Sequence, residues 1–121
     1  MLAGPELDRM VAEQVMGWRL EDYETGLPAP ADLYPDADGW AWSGRCGEAY
    51  MWQPSTDLAC AWEVVERMRD HDHAVVVIDL PEAACAALLH YRAQIIPSEM
   101  SRAATVPLAI CRAALLTVGA A

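Results

Sequence analysis

The sequence predicts one mixed α/β domain, and three observations carry this prediction. The chain has 121 residues, of which 55% are hydrophobic, and this is enough for a single compact core over residues 1–121. Three segments repeat apolar residues at helical spacing. Between the second and the third lies the β-branched run HAVVVIDL, which is typical of a strand. We therefore expect helices packed on a small sheet.

The first predicted helix is PELDRMVAEQVMGW. Pro5 suits a first helical turn, and Gly17 is a natural stop. One apolar stripe comprises Leu7, Met10, Val11, Val15 and Trp18. The segment predicts an amphipathic helix with that stripe in the core.

Residues 24–39 and the tryptophan-rich stretch after them are not predicted to be helical. The run ETGLPAPADLYPDADG is rich in proline and acids and predicts a long surface loop. In WAWSGRCGEAYMW, Trp40 and Trp42 alternate before turn glycines, and Tyr50 and Trp52 alternate after them. This pattern predicts a β-hairpin whose Trp40, Trp42 and Trp52 are freer to bind a ligand than Trp18 and Trp62, which lie on helix core stripes.

The clearest helix is PSTDLACAWEVVERMRD. Ser55 or Thr56 is expected to cap it, and Glu63 and Arg67 are expected to form an outward i,i+4 pair. The predicted buried face comprises Leu58, Ala61, Trp62, Val65 and Met68. Ordinary capping is the favoured role of PSTD over a phosphate cradle.

The C-terminal third combines an ambiguous segment with an apolar helix. Residues 86–96, which lie within the segment CAALLHYRAQII, fit either a helix or a strand. We favour a strand that forms a hairpin with HAVVVIDL. The last helix is expected to follow Thr105, and Arg112 interrupts an otherwise apolar circumference. Because a sheet covers only one face of such a helix, we expect a second subunit to cover the other.

Charge restricts the partners. The net charge of −10 argues against nucleic-acid and membrane partners, since both need a basic face. The charge is uneven, because 17 of the 18 acids lie before residue 83, whereas Arg92, Arg102 and Arg112 follow it with Glu99 alone. An anionic ligand would be held by this last third, although chance or solubility explains the asymmetry equally well. With no basic leader or long apolar segment, the chain is expected to be soluble and cytoplasmic.

Rival sites have simpler explanations. His71 and His73 in DHDH could bind a metal, yet histidines at a helix C-terminus already favour the dipole. Cys46 could be a nucleophile, but nothing in the sequence places a histidine near it. The four cysteines lack a CxxC pair, so neither a zinc site nor disulfides are expected. No paired carboxylates, phosphate loop or triad appear, and we therefore expect no enzyme, no metal and no cofactor.

Three stretches, LDRMVAEQVMGW, PSTDLACAWEVVERMRD and TVPLAICRAALL, resemble the recurring pattern of the small phage and prophage proteins of the phage ABA-sandwich family. The resemblance covers about a third of the chain in three separated motifs. It implies a three-layer α-β-α sandwich with a small, mostly antiparallel sheet, in a protein encoded by a phage or prophage.

The size and layout are also similar to phage sponge proteins that oppose nucleotide-signalling defences. This similarity implies a homo-oligomer that sequesters a cyclic ADP-ribose-like or cyclic oligonucleotide signal in the cytoplasm of the bacterial host. The alternative is a non-catalytic structural or assembly protein. Guanidinium groups, helix N-termini and aromatic rings suit a nucleotide, so the predicted ligand-binding residues are Arg112, Arg102, Arg92, Ser55, Thr56, Trp52 and Thr105.

Overall fold

The structure is a computed structural model, and it describes residues 2–30, 39–43, 48–71, 73–79, 85–91 and 97–119. Its elements, in chain order, are α1 (Pro5–Gln14), β1 (Leu20–Asp22), β2 (Trp40–Trp42), a short 3-10 helix (Ala49–Met51), α2 (Leu58–Asp70), β3 (His73–Asp79), β4 (Cys85–Tyr91), β5 (Pro97–Ala103) and α3 (Val106–Thr117). The predicted fold class is confirmed: the chain is a mixed α/β sandwich with small antiparallel sheets and helices packed against them.

The larger sheet has the order β3-β4-β5, and both pairs of strands are antiparallel. His73 of β3 pairs with Tyr91 of β4, so the strand hairpin favoured for this region is confirmed over residues 85–91. Residues 92–96 lie outside the described part of the chain. The sequence reading missed β5, whose SEMSR core has too few β-branched or aromatic residues to signal a strand.

Helix α3 occupies the centre of the domain. It contacts β4 and β5 on one side, and α1 and α2 also pack on it. Thr105 caps its N-terminus as predicted, because the Thr105 hydroxyl accepts the Leu108 amide at 3.4 Å. The apolar circumference of α3 is thus covered within one chain, and it no longer argues for a second subunit. The homo-oligomer stays a prediction.

Helix α1 buries the predicted stripe. Leu7 and Val11 are fully buried and Val15 nearly so. Gly17 follows the helix with a φ of +71°, a left-handed conformation that glycine adopts at low cost. The Gly17 turn is also close to α2, because a Cβ at this position would lie 3.5 Å from Arg67 Nη2.

The predicted tryptophan hairpin is wrong in its second half. Strand β2 pairs antiparallel with β1, with Trp42 opposite Leu20, whereas Tyr50 lies in the 3-10 helix and Trp52 follows it. A single bridge between Ala41 and Glu48 is the link that remains. Two alternating aromatic residues are too short a pattern to separate a strand from a helical turn.

Helix α2 is capped and oriented differently from the prediction. Its cap is Asp57, whose Oδ1 accepts the Ala59 amide at 2.8 Å, rather than Ser55 or Thr56. Leu58 and Trp62 are exposed at 54% and 44%. The buried residues are Cys60, Ala61, Val64, Val65 and Met68.

The residues of the predicted outward pair on α2 are half-buried and bonded to other elements. Glu63 accepts the indole N-H of Trp52 through Oε2, and Arg67 Nε donates to the Val15 carbonyl at 3.3 Å. These two bonds join α2 to the segment before it and to the end of α1. The pair therefore contributes to tertiary packing.

The predicted loop of residues 24–39 is described over residues 24–30 and at residue 39. It begins with a turn in which Asp22 Oδ1 accepts the Glu24 amide at 2.7 Å. Pro28 then forms an isolated bridge with Glu21. Arg9 of α1 donates from Nη2 to the Pro30 carbonyl at 2.9 Å. The described part of this loop is therefore mostly exposed and is tied to the first helix at Pro30.

Candidate functional site

A concave site of about 220 Å³ lies where the N-terminus of α1 meets the segment that precedes α2. We call it the Asp8 cavity. It is partly open to solvent, and its lining residues are Gly4, Pro5, Asp8, Ala49, Tyr50, Trp52, Gln53 and Thr56. Its volume is below the roughly 300–1,000 Å³ that is usual for drug-sized ligands, so it suits a single ring system.

A hydrogen-bond network holds the two sides of the Asp8 cavity together. The Gly4 amide donates to the Ser55 hydroxyl at 3.0 Å, and the Ser55 amide donates to Asp8 Oδ1 at 2.8 Å. A third hydrogen bond completes the network, because the Asp8 amide donates to the Gly4 carbonyl at 3.0 Å. The network links residues 47 and 51 positions apart in the sequence. It therefore fixes the shape of the cavity.

Asp8 is a carboxylate at an apolar position. It is only 3% exposed, and burial raises its pKa, an effect that the side-chain and backbone hydrogen bonds from Ser55 partly oppose. Sequence reasoning missed this residue, because an acid in a first helical turn is usually solvated. The signal was present: Asp8 precedes Val11, Ala12 and Val15 by three, four and seven residues, so it lies on their face of the helix.

The tryptophan wall of the Asp8 cavity is rigid. Trp52 is 1% exposed, its indole N-H donates to Glu63, and its ring lies 4.7 Å from that of Trp18 at an interplanar angle of 57°. A buried ring held on several sides offers a fixed wall to a ligand. The expectation that Trp42 and Trp52 are freer than Trp18 and Trp62 is wrong, because Trp42 is 2% and Trp62 44% exposed.

Hydrogen-bond acceptors dominate the remaining lining of the cavity. Gln53 Nε2 donates to the Tyr50 carbonyl at 2.9 Å, which leaves Gln53 Oε1 as an acceptor. The Thr56 hydroxyl donates to the Gln53 carbonyl at 3.4 Å. With the carboxylate of Asp8, these groups favour a ligand that donates hydrogen bonds.

The predicted binding residues fall into two groups. Trp52, Ser55 and Thr56 lie at the Asp8 cavity or in the network behind it. Among the residues whose side chains the structure describes, Thr105 and Arg112 do not line the cavity: Thr105 caps α3, and Arg112 is half-buried within that helix. Arg102 pairs with Ala86 in the register of the sheet. Arg92 lies outside the described residues.

The rival sites gain nothing from the structure. Among the described residues, no group of three or more metal-binding side chains is close enough to hold an ion. His71 ends α2 and His73 begins β3. Cys46 lies outside the described residues, whereas Cys60 and Cys111 are free and buried.

The comparison with protein families decides the assignment. A family model described as the phage ABA sandwich domain matches residues 9–115. The chain belongs to the phage ABA sandwich domain family. It is accordingly a phage protein, and the predicted family is confirmed. The match begins one residue after Asp8.

Two further comparisons found no match for this phage ABA sandwich protein, neither among curated proteins nor among solved structures. None of the helices in the described ranges combines the length and the apolar character that crossing a membrane would need.

Proposed function

We propose that this phage ABA sandwich protein is a non-catalytic binding protein that sequesters a nucleotide-derived immune signal in the cytoplasm of the bacterial host. The observation that supports the proposal is the Asp8 cavity, a small aromatic-walled site of about 220 Å³ with a buried polar group. Such a site suits the base of a nucleotide. The rest of the signal would lie outside it.

The chemistry of the cavity favours binding over turnover. Within the described part of the chain, its lining residues include one carboxylate, Asp8, and no histidine or cysteine. Hydrolysis of a phosphodiester or a glycosidic bond needs a second catalytic group, such as a partner carboxylate, a base or a metal. We therefore expect a signal incubated with excess protein to be recovered intact after heat denaturation, and time-dependent loss of the signal would refute this.

Arg112 is the residue that we propose for the phosphate of the signal. It is half-buried on α3, within a segment from residue 103 to residue 119 that contains no acid. A guanidinium is a suitable phosphate ligand because it presents several N-H donors in a planar fork. Its position away from the Asp8 cavity makes the phosphate contact a separate element of the proposal, with its own test.

Calorimetry against cyclic ADP-ribose isomers and cyclic dinucleotides tests both elements. Arg112→Ala is expected to weaken binding at least ~10-fold, since a charged hydrogen bond at a desolvated site is worth ~1.5 to 3 kcal/mol. The control is Arg19→Ala, which removes the same charge from an exposed arginine that pairs with Glu21. If the wild-type protein binds none of the signals, sequestration is wrong. If Arg112→Ala binds as well as Arg19→Ala, the phosphate role of Arg112 is wrong.

A second candidate function is supported by the outer face of α2. Leu58 and Trp62 are one helical turn apart and exposed, and the Arg69 guanidinium lies 5.3 Å from the centre of the Trp62 ring. An exposed apolar pair of this kind suits a contact between copies in a phage assembly. Light scattering tests it: a 13.2 kDa monomer at tens of micromolar would refute the oligomer, and an oligomer that Trp62→Glu dissociates would support it.

A further inference from the structure

We propose that the Asp8 cavity selects a flat heterocycle with adjacent N-H donors, a guanine-type edge, and that Asp8 is the residue that determines this specificity. The inference rests on the proposed function, because it names the part of the signal that enters the cavity. It also excludes a phosphate from that position.

The argument begins with what the cavity offers a ligand. Asp8 is the one acid among the lining residues that the structure describes, and its Oδ1 accepts the Ser55 amide at 2.8 Å. Gln53 adds a carbonyl oxygen, because its amide nitrogen is engaged with the Tyr50 carbonyl. A ligand that contacts the carboxylate of Asp8 and the amide oxygen of Gln53 must therefore supply donors, because these oxygens accept hydrogen bonds and donate none.

The negative charge of Asp8 argues against a phosphate in the cavity. A phosphate in the cavity would face a carboxylate that is 3% exposed, and two like charges repel each other strongly where water is excluded. The hydroxyl of Ser55, predicted from the sequence as a phosphate ligand, already accepts the Gly4 amide and donates its own hydrogen to Asp8. The N-terminus of α2 is likewise occupied, because the Asp57 carboxylate caps it.

The size of the cavity restricts which hydrogen-bond donors can enter it. The volume of about 220 Å³ admits one ring system, and the buried Trp52 is among the lining residues. A carboxylate can accept two parallel N-H groups from one ligand edge. The N1-H and 2-amino groups of guanine form such an edge. Hypoxanthine lacks the 2-amino donor, and xanthine has an acceptor in its place.

The test is calorimetry of guanosine, inosine, xanthosine and guanosine 5′-monophosphate with the full chain. The wild-type protein is expected to bind guanosine at least ~10-fold more tightly than inosine, because hydrogen bonds to a charged group are strong. In Arg112→Ala, which lacks the proposed phosphate contact, the 5′-phosphate is expected to add less than ~3-fold, since the cavity itself holds the base. The comparison of guanosine with inosine needs no variant.

Asp8→Asn then tests the residue itself. The amide keeps an oxygen for the Ser55 N-H and replaces one acceptor with a donor. We expect guanosine binding to fall at least ~10-fold and xanthosine binding to rise above that of guanosine. The matched control is Glu6→Gln, which removes the same charge from an exposed position on α1. It is expected to bind like the wild-type protein.

Several results would overturn the inference. If the wild-type protein binds guanosine and inosine equally, the cavity does not recognise the 2-amino donor. If Asp8→Asn and Glu6→Gln behave alike, Asp8 does not determine the specificity. Binding of methylguanidine as tightly as guanosine would make this a cation site. If cyclic signals bind and guanosine does not, the inference fails and sequestration stands. If none of these compounds binds, both are wrong.

Discussion

Ser55→Ala tests the network that shapes the Asp8 cavity. Ser55 is fully buried, and its hydroxyl accepts the Gly4 amide at 3.0 Å. Alanine at this position keeps the backbone amide that donates to Asp8, so the variant removes the hydroxyl alone. The Gly4 amide loses its acceptor, and Asp8 loses the side-chain hydrogen bond that opposes the rise in its pKa.

The expected loss is about 1 to 3 kcal/mol in the free energy of unfolding, the cost of leaving a buried polar group without its partner. For a domain of this length, Tm should fall by roughly 4 °C for each kcal/mol lost. Urea unfolding gives the free energy of unfolding, and a thermal melt followed by circular dichroism gives Tm.

Thr56→Ala is the matched control for this measurement. The Thr56 side chain is exposed, and its hydroxyl makes one long hydrogen bond of 3.4 Å to the Gln53 carbonyl. Its loss should change the free energy of unfolding by no more than about 0.5 kcal/mol. If both variants lose the same stability, the network does not join α1 to the segment before α2, and the account of the cavity is wrong.

Three further predictions follow from single residues. Asp57→Ala removes the cap of α2 and should cost about 1 kcal/mol in urea unfolding, and a loss below that of Thr56→Ala would contradict the cap. Burial raises the pKa of Asp8, so its contribution to stability is full below its unfolded pKa and is lost as pH rises through its folded pKa. The wild-type free energy of unfolding, minus that of Asp8→Asn, should therefore fall between pH 3 and pH 7, and a constant or rising difference would refute the buried acid. Burial raises the pKa of the Cys111 thiol, and the charges of Asp8 and Cys60 add to this effect. An alkylating reagent should therefore label Cys111 only in denaturant, as mapped by peptide mass spectrometry, and rapid labelling of the native protein would contradict this.

The sequence predicted those elements for which local and tertiary preferences agree. Thr105 has a side chain that caps well, and the apolar run after it forms a helix in any buried setting. The segment of β4 was ambiguous because its alanines favour a helix, and pairing with the β-branched β3 decides in favour of a strand.

The orientation of α2 could not be read from its sequence. Two apolar faces compete, one with Leu58 and Trp62 and the other with Cys60 and Val64. The positions of α3 and β3 decide which face is buried, and both neighbours come later in the chain. Arg69 then covers part of the exposed Trp62 ring.

The candidate site was predicted only in part for a related reason. The sequence identified Trp52 and Thr56, which are adjacent to a recognisable helix start. It missed Asp8, because the cavity exists only once the Ser55 segment folds against α1, and a bond spanning 47 positions leaves no local pattern. The acid within the apolar face of α1 was the available signal.

The central position of α3 has a consequence for how the chain folds. Strands β4 and β5 and helices α1 and α2 all pack on an element that is synthesised after them. The contacts that join α3 to these four elements therefore form last, after the rest of the chain has been synthesised. Until then, the growing chain exposes what will become its core, so removal of α3 should leave an aggregation-prone chain in place of a smaller folded domain.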